Sequence, residues 1–198
     1  MANKVFVFCI GGTGLRVMKA ITMLAASGVK TNGYSIVPII IDPHIDLEEK
    51  TKVENLINDY ISIYKYATKS EGQQMNPLEG FFNTEFLRLA EIDDEQNNTS
   101  ASMAERRTFG EYMNIGNLSN DDVNNFFVQT LFSKENLTNS LSVGFKGNPN
   151  IGTVVLNEMV NGADWYGAFP RHCENGDRVF IISSIFGGTG ASAYPLLA

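Results

Sequence analysis

The chain is poor in the residues from which metal centres and disulfide frameworks are built, with two cysteines and two histidines among 198 residues. Cys9 lies in an apolar run and Cys173 in a polar stretch beside His172. That spacing excludes both a disulfide framework and an ordinary zinc site. Basic residues are also scarce: lysine and arginine number 15 against 22 aspartates and glutamates, a formal charge of −7. They form no cluster, which excludes a dominant nucleic-acid surface, because neutralising phosphates takes grouped Lys and Arg. No apolar run approaches the roughly 18 residues of a membrane span. No secretory signal opens the sequence, so a soluble protein of a reducing cytoplasm is expected.

The information lies in the glycines. Gly11-Gly12-Thr13-Gly14 and Gly187-Gly188-Thr189-Gly190 each follow a β-type run, one starting at Lys4 and the other at Arg178. A strand that breaks at glycines and runs into a helix leaves N–H groups unpaired at the positive end of that helix, ready for phosphate oxygens. Two such turns predict a polyphosphate gripped from two sides.

Between them the pattern alternates. Val5 to Ile10 reads as a strand covered on both faces, Thr13 to Ser27 as a helix stopped by Gly28, and Ile36 to Ile41 as a second strand ending at Asp42-Pro43. Leu47, Val53, Leu56, Ile57, Tyr60, Ile61 and Tyr64 mark one face of a helix lasting to about Thr68. This β-α-β-α order predicts a single α/β domain, a parallel Rossmann-like sheet flanked by helices. From Glu71 to about Leu141 the sequence turns Asn- and Phe-rich without a strand pattern. Residues 71–141 read as a helical insertion on the sheet's edge, with a capping box at Ser102-Met-Ala-Glu105 and a helix after Ser119 carrying Phe126, Phe127 and Leu131. Its phenylalanines suit either core and edge cover or a partner surface. Gly144 to Thr153 forms a third tight turn ahead of a helix. Ligands of open α/β sheets sit outside the carboxyl ends of the strands, where all three turns and Asp42 would emerge.

Each feature also has a plainer meaning. Gly11 to Gly14 alone fits any strand-to-helix turn; Val17 stands where a dinucleotide fingerprint has its third glycine, and Asp42 comes late for a ribose ligand. No Gly-Lys-Ser/Thr follows, so phosphates would rest on backbone N–H groups without a lysine. Asp42 either just ends its strand or contacts ligand or magnesium-bound water. Asn148-Pro149 is a common turn pair, whereas the Thr189 hydroxyl can add a donor to the cradle. His44 and His172 read as solvent-exposed, Cys9 as a small buried hydrophobe, and Trp165, Tyr166 and Phe169 as packing residues.

Phe186-Gly187-Gly188-Thr189-Gly190-Ala191-Ser192 resembles the signature loop of the tubulin/FtsZ superfamily. Gly11-Gly12-Thr13-Gly14 looks like its first phosphate loop, Asp42 stands where its second loop carries an acidic residue, and Gly147-Asn148-Pro149-Asn150-Ile151-Gly152 is similar to its third. These segments fall in the family's order. The departures are Phe186 in place of a further glycine, Ala191-Ser192 at the end of the signature, Arg16 where an amide side chain is usual, and a long stretch between Asp42 and Gly147.

The resemblance implies GTP bound with Mg2+ by Gly11, Gly12, Thr13, Gly14, Arg16, Asp42, Gly147, Asn148, Gly187, Gly188, Thr189 and Gly190, and self-association into protofilaments. In the family an acidic loop downstream of the signature completes hydrolysis across a subunit contact. The sequence up to Ala198 contains no such loop there, so this chain is expected to be the N-terminal part of a nucleotide domain, with catalytic residues unassigned and little GTPase activity alone. Two other classes remain open: an NAD-dependent oxidoreductase using the Gly11 to Gly14 turn, and a tubulin-like scaffold without turnover.

Overall fold

The structure, a computed structural model, describes residues 3–44, 46–68, 80–88, 100–101, 105–119, 123–161 and 169–197. β1 (Lys4–Ile10) runs straight into α1 (Gly11–Ala26), and β2 (Ser35–Ile41) is followed by α2 (Glu48–Thr68). After a two-residue β3 (Ser100–Ala101) come the short helix α3 (Phe109–Tyr112), α4 (Val123–Leu131), α5 (Lys134–Thr138) and α6 (Pro149–Asn161), then β4 (Arg178–Ile182) and α7 (Gly188–Leu197). The strands form one parallel sheet in the order β3-β2-β1-β4.

Alternation along β1 divides the core. Phe6, Phe8 and Ile10 face a cluster shared with Val37, Ile39 and Ile41 of β2, Ile151 and Val155 of α6, and Ala193 of α7. Val7 and Cys9 face the other side, against Leu15 and Met18 of α1 and Val53, Ile57 and Ile61 of α2. Helices thus cover both faces of a strand that is apolar throughout, as a parallel sheet requires. Burial raises the Cys9 thiol to about 12, which leaves it an inert core residue.

Three local devices fix the element ends. α1 starts two residues earlier than its periodicity predicts and closes in a Schellman motif, where the N–H of Gly28 donates to the Ala25 carbonyl and that of Val29 to Leu24. Gly28 adopts φ 97°, which a residue with a Cβ resists. Pro38 sits inside β2, yet Ile36 turns its N–H and carbonyl to the outer edge, bonding Glu85 and Leu87, so Pro38 two residues on also faces outward. Its missing donor falls between the Phe86 bridge and β3, where no ladder partner lies among the described residues.

The segment expected to hold only helices contributes β3, which pairs Ser100 and Ala101 with Ile40 and Ile41. Its described helices pack on a face of the sheet: Phe109, Val128, Phe132 and Leu141 join the Phe6 cluster. On α4, of the two readings left open for the phenylalanines, the exposed one applies. Phe126, Phe127 and Leu131 are exposed, while Val128 and Asn125 turn inward. Asn125 is held by its amide donating to the Ser119 carbonyl and accepting from Gln129. The capping box forms at Thr108 and Glu111 on α3; residues 102–104 of the expected box, and Trp165 and Tyr166, lie outside the described residues. Phe169 packs edge-on against Phe6 and Phe8, at ring distances of 5.0 and 5.3 Å.

A buried ion pair ties the start of the central strand to the approach of β4. Asp177 accepts from the Lys4 backbone N–H at 2.6 Å and pairs with its ammonium at 3.3 Å, the two side chains 4% and 7% exposed. Burial acts to raise the Asp177 pKa, but the N–H groups of Lys4 and Glu174 and the Lys4 ammonium outweigh it, and the net shift is downward. Folding therefore lowers this pKa. The pair's contribution is present above the unfolded carboxylate range and is lost as pH falls through the native value. Asp177→Ala leaves the ammonium only the His172 carbonyl at 3.4 Å and the exposed Glu174 carboxylate at 3.7 Å, and should cost about 2 kcal/mol in urea unfolding at neutral pH, with a smaller loss in acid.

Candidate functional site

At the carboxyl end of the sheet the described residues form an open cavity of about 250 Å³, lined from four separated parts of the chain. The first wall is the β1–α1 turn, with Gly12 and Arg16; the second is the end of β2, with Asp42, His44, Leu47 and Glu49. Val143, Gly144, Phe145 and Lys146 make the third, and Gly188 and Thr189, at the start of α7, close the fourth.

The glycines here have different jobs. Gly11 takes φ 64° and makes the turn out of β1, and a Cβ on it would lie 3.4 Å from that of Thr189. Gly14 is packing: a Cβ there would overlap the backbone of Cys9, so this glycine lets α1 lie against the strand that feeds it. Gly12 has only an Arg16 guanidinium nitrogen near its Cβ position, at 3.9 Å, and leaves its backbone open to the cavity. α1 begins with no side-chain cap and no acidic residue in its first turn. Its first N–H groups lack side-chain acceptors at the point where the cavity opens.

The opposite wall is built by the crossing of α6 and α7. Gly152 leaves room for Ser192, whose single hydroxyl proton is shared between the Pro149 carbonyl at 2.9 Å and the Gly188 carbonyl at 2.5 Å. Ser192 thus bonds the third turn's helix to the fourth turn's helix, which gives a structural role to a residue that departs from the signature pattern. Gly188 lies so close to this wall that a Cβ on it would stand 3.0 Å from the Gly147 nitrogen and from the Phe145 Cβ. Lys146 (φ 45°) and Gly147 (φ 77°) are successive left-handed residues. Holding a lysine there costs of order 1 kcal/mol, a kind of strain that collects at functional sites.

Gly12, Arg16, Asp42, Gly188 and Thr189 of the expected set line the cavity, and Gly11 stands behind Thr189. Thr13 is exposed on α1. Gly190 is buried beneath the turn, packed on Ser183 and Ser184, and Gly187 is half-buried with open space at its Cβ position. Asn148 turns its amide back onto the Phe145 and Lys146 carbonyls, which makes it a loop brace. The other lining residues were not among the chosen ones: His44, Leu47 and Glu49 after Asp42, and Val143, Gly144, Phe145 and Lys146 before Gly147. A basic residue next to Gly147 was the signal available for Lys146. Both histidines are half-buried, contrary to expectation.

Asp42 is the buried charge of the site, 5% exposed, and its Oδ1 accepts from the His44 N–H at 2.9 Å. Burial raises its pKa, against the opposing pull of that N–H and of Lys50. A carboxylate left costly by burial is one that a cation would relieve. Among the described residues no group of three His, Cys, Asp or Glu converges to hold a metal, so a magnesium ion here would need ligand oxygens and water besides Asp42.

No helix among the described residues is long and apolar enough to cross a membrane. Comparison with known proteins finds no matching family model, no similar curated protein and no similar solved structure.

Because folding raises the Asp42 pKa, the native state keeps its proton where the unfolded chain has lost it. The charge therefore weakens the fold above that window, and the cost vanishes as pH falls through it. Asp42→Asn keeps an acceptor for His44 and should unfold at higher urea than the parent protein at about pH 7, the two midpoints converging near about pH 4.

Proposed function

We infer that the cavity binds the polyphosphate of a guanine nucleotide with magnesium, in a tubulin-like site, and that the protein assembles into filaments. One observation carries this reading: segments far apart in sequence, at Gly12 and Arg16, Asp42, Val143–Lys146 and Gly188–Thr189, converge on a single cavity at the carboxyl end of a parallel sheet, with Gly147 just behind its third wall. Two helices begin there, α1 and α7, neither with an acidic residue in its first turn. Their N-terminal N–H groups and Thr189 suit phosphate oxygens, with Arg16 and Lys146 supplying positive charge. Asp42 suits magnesium held jointly with the phosphates.

In this reading the cavity, about 250 Å³ and open to solvent, holds the phosphate tail with the base outside it. Guanine, filament assembly and hydrolysis by an acidic loop outside this chain come from the resemblance of the four segments. A dinucleotide on the β1–α1 turn is the competing reading, favoured by Gly11 and Gly14 acting as turn-forming and close-packing glycines. It leaves Gly188 and Thr189 without a part.

Calorimetric titration with GTP, ATP and NAD in magnesium separates the readings. GTP should bind in preference to NAD, and Gly12→Val, whose Cβ meets nothing nearer than an Arg16 guanidinium nitrogen at 3.9 Å, should weaken binding by about tenfold or more in a variant first checked for unchanged thermal unfolding. Gly188→Val is the poorer probe, since it also disturbs Phe145 and Gly147. Preference for NAD, or GTP affinity unmoved by Gly12→Val, overturns the polyphosphate site.

A further inference from the structure

One ion pair at the cavity mouth has a feature that a structural tie does not need. Arg16, one turn into α1, places its Nε 3.5 Å from Oε1 of Glu49, at the start of α2, and both residues line the cavity. The side chains are 71% and 38% exposed. A pair this long and this wet contributes little to stability, roughly 0.2–1 kcal/mol. Glu48, the neighbouring acid, is already engaged by Lys52 at 2.6 Å, so Glu49 is the carboxylate that restrains the arginine.

The same guanidinium reaches back over the phosphate turn. A terminal nitrogen of Arg16 lies 3.9 Å from the Cβ position of Gly12, the open glycine of that turn. A phosphate entering there meets a planar fork of donors beside the α1 N-terminus. It offers more charge than a carboxylate and can accept two parallel N–H bonds, the geometry that guanidinium recognises best. Lys146, across the cavity, adds a second cation without the fork.

We propose that Arg16 is a phosphate-gripping arm kept in reserve by Glu49, and that an oligophosphate entering the cavity takes the guanidinium from the carboxylate. The ligand class follows from this exchange: a chain of phosphates, whose charge overcomes Glu49, rather than a single neutral or weakly charged group. The inference rests on the polyphosphate reading. It adds to it that occupancy breaks the Arg16–Glu49 contact between α1 and α2.

The test uses inorganic tripolyphosphate, the nucleotide tail without base or sugar, and GTP in parallel, at fixed ionic strength with magnesium. Calorimetry is run on the unaltered chain, Glu49→Gln, Arg16→Gln and the double variant, each first checked for unchanged thermal unfolding. Glu49→Gln should bind tripolyphosphate about two- to fivefold tighter, the worth of an exposed ion pair, and Arg16→Gln about tenfold weaker. In the Arg16→Gln background Glu49→Gln should add nothing. If Glu49 only repels phosphate through space, its removal helps as much without Arg16, and that result overturns the reserve arm. So does unchanged affinity in Glu49→Gln. Binding without this coupling refutes the arm alone, whereas no binding of tripolyphosphate or GTP by the unaltered chain refutes the polyphosphate site and the arm together.

Discussion

The arrangement at the cavity depends on β1 being hydrogen-bonded along both edges to parallel neighbours. Lys4 to Ile10 pairs with Ser35 to Ile41 on one side, and Val5 to Cys9 pairs with Arg178 to Ile182 on the other. Parallel pairing brings the ends of three strands to one edge, so the turns that follow them become neighbours despite their separation in sequence. The Lys4–Asp177 pair anchors the opposite end of the same three-strand core, where a slip of one residue would exchange the two apolar faces of β1.

Close approach of backbone to backbone then sets the shape of the cavity. Gly14 seats α1 on β1, Gly190 seats α7 on Ser183 and Ser184, and Gly152 lets α6 cross α7 at Ser192. None of these three lines the cavity, yet each places a wall of it. Gly12 and Gly188 line the cavity themselves, Gly12 with open space beside it and Gly188 pressed against Phe145 and Gly147. Charge follows the same division: Arg16 and Lys146 are exposed at the rim, while Asp42 is buried at the end of β2.

Much of this was legible in the sequence because it is local. Apolar runs ending at glycine announce a strand breaking into a helix, and β1, β2, α1 and α2 lie close to where periodicity put them. What could not be read depends on tertiary placement. β3 is two residues long and has no periodicity to show. α4 carries Phe126, Phe127 and Leu131 outward because its inward face is set by Val128 and a hydrogen-bonded Asn125, a preference that hydrophobicity alone reverses. Glu49 carries no motif of its own, and only the packing of α2 beside α1 brings it to Arg16. Asn148 and Gly190 were chosen by motif, but their surroundings make them brace and seat.

The most direct measurement is a two-dimensional amide NMR titration of the labelled chain with GTP and magnesium. A polyphosphate seated in this cavity should move the amide signals of Gly12, Gly144, Lys146, Gly188 and Thr189 together along one binding isotherm, with the backbone of β4 at Val179 and Phe180 left still. Shifts confined to the Gly11–Gly14 turn, or centred on the separate apolar cavity lined by Phe169, Val179 and Tyr194, would contradict a site built from all four turns.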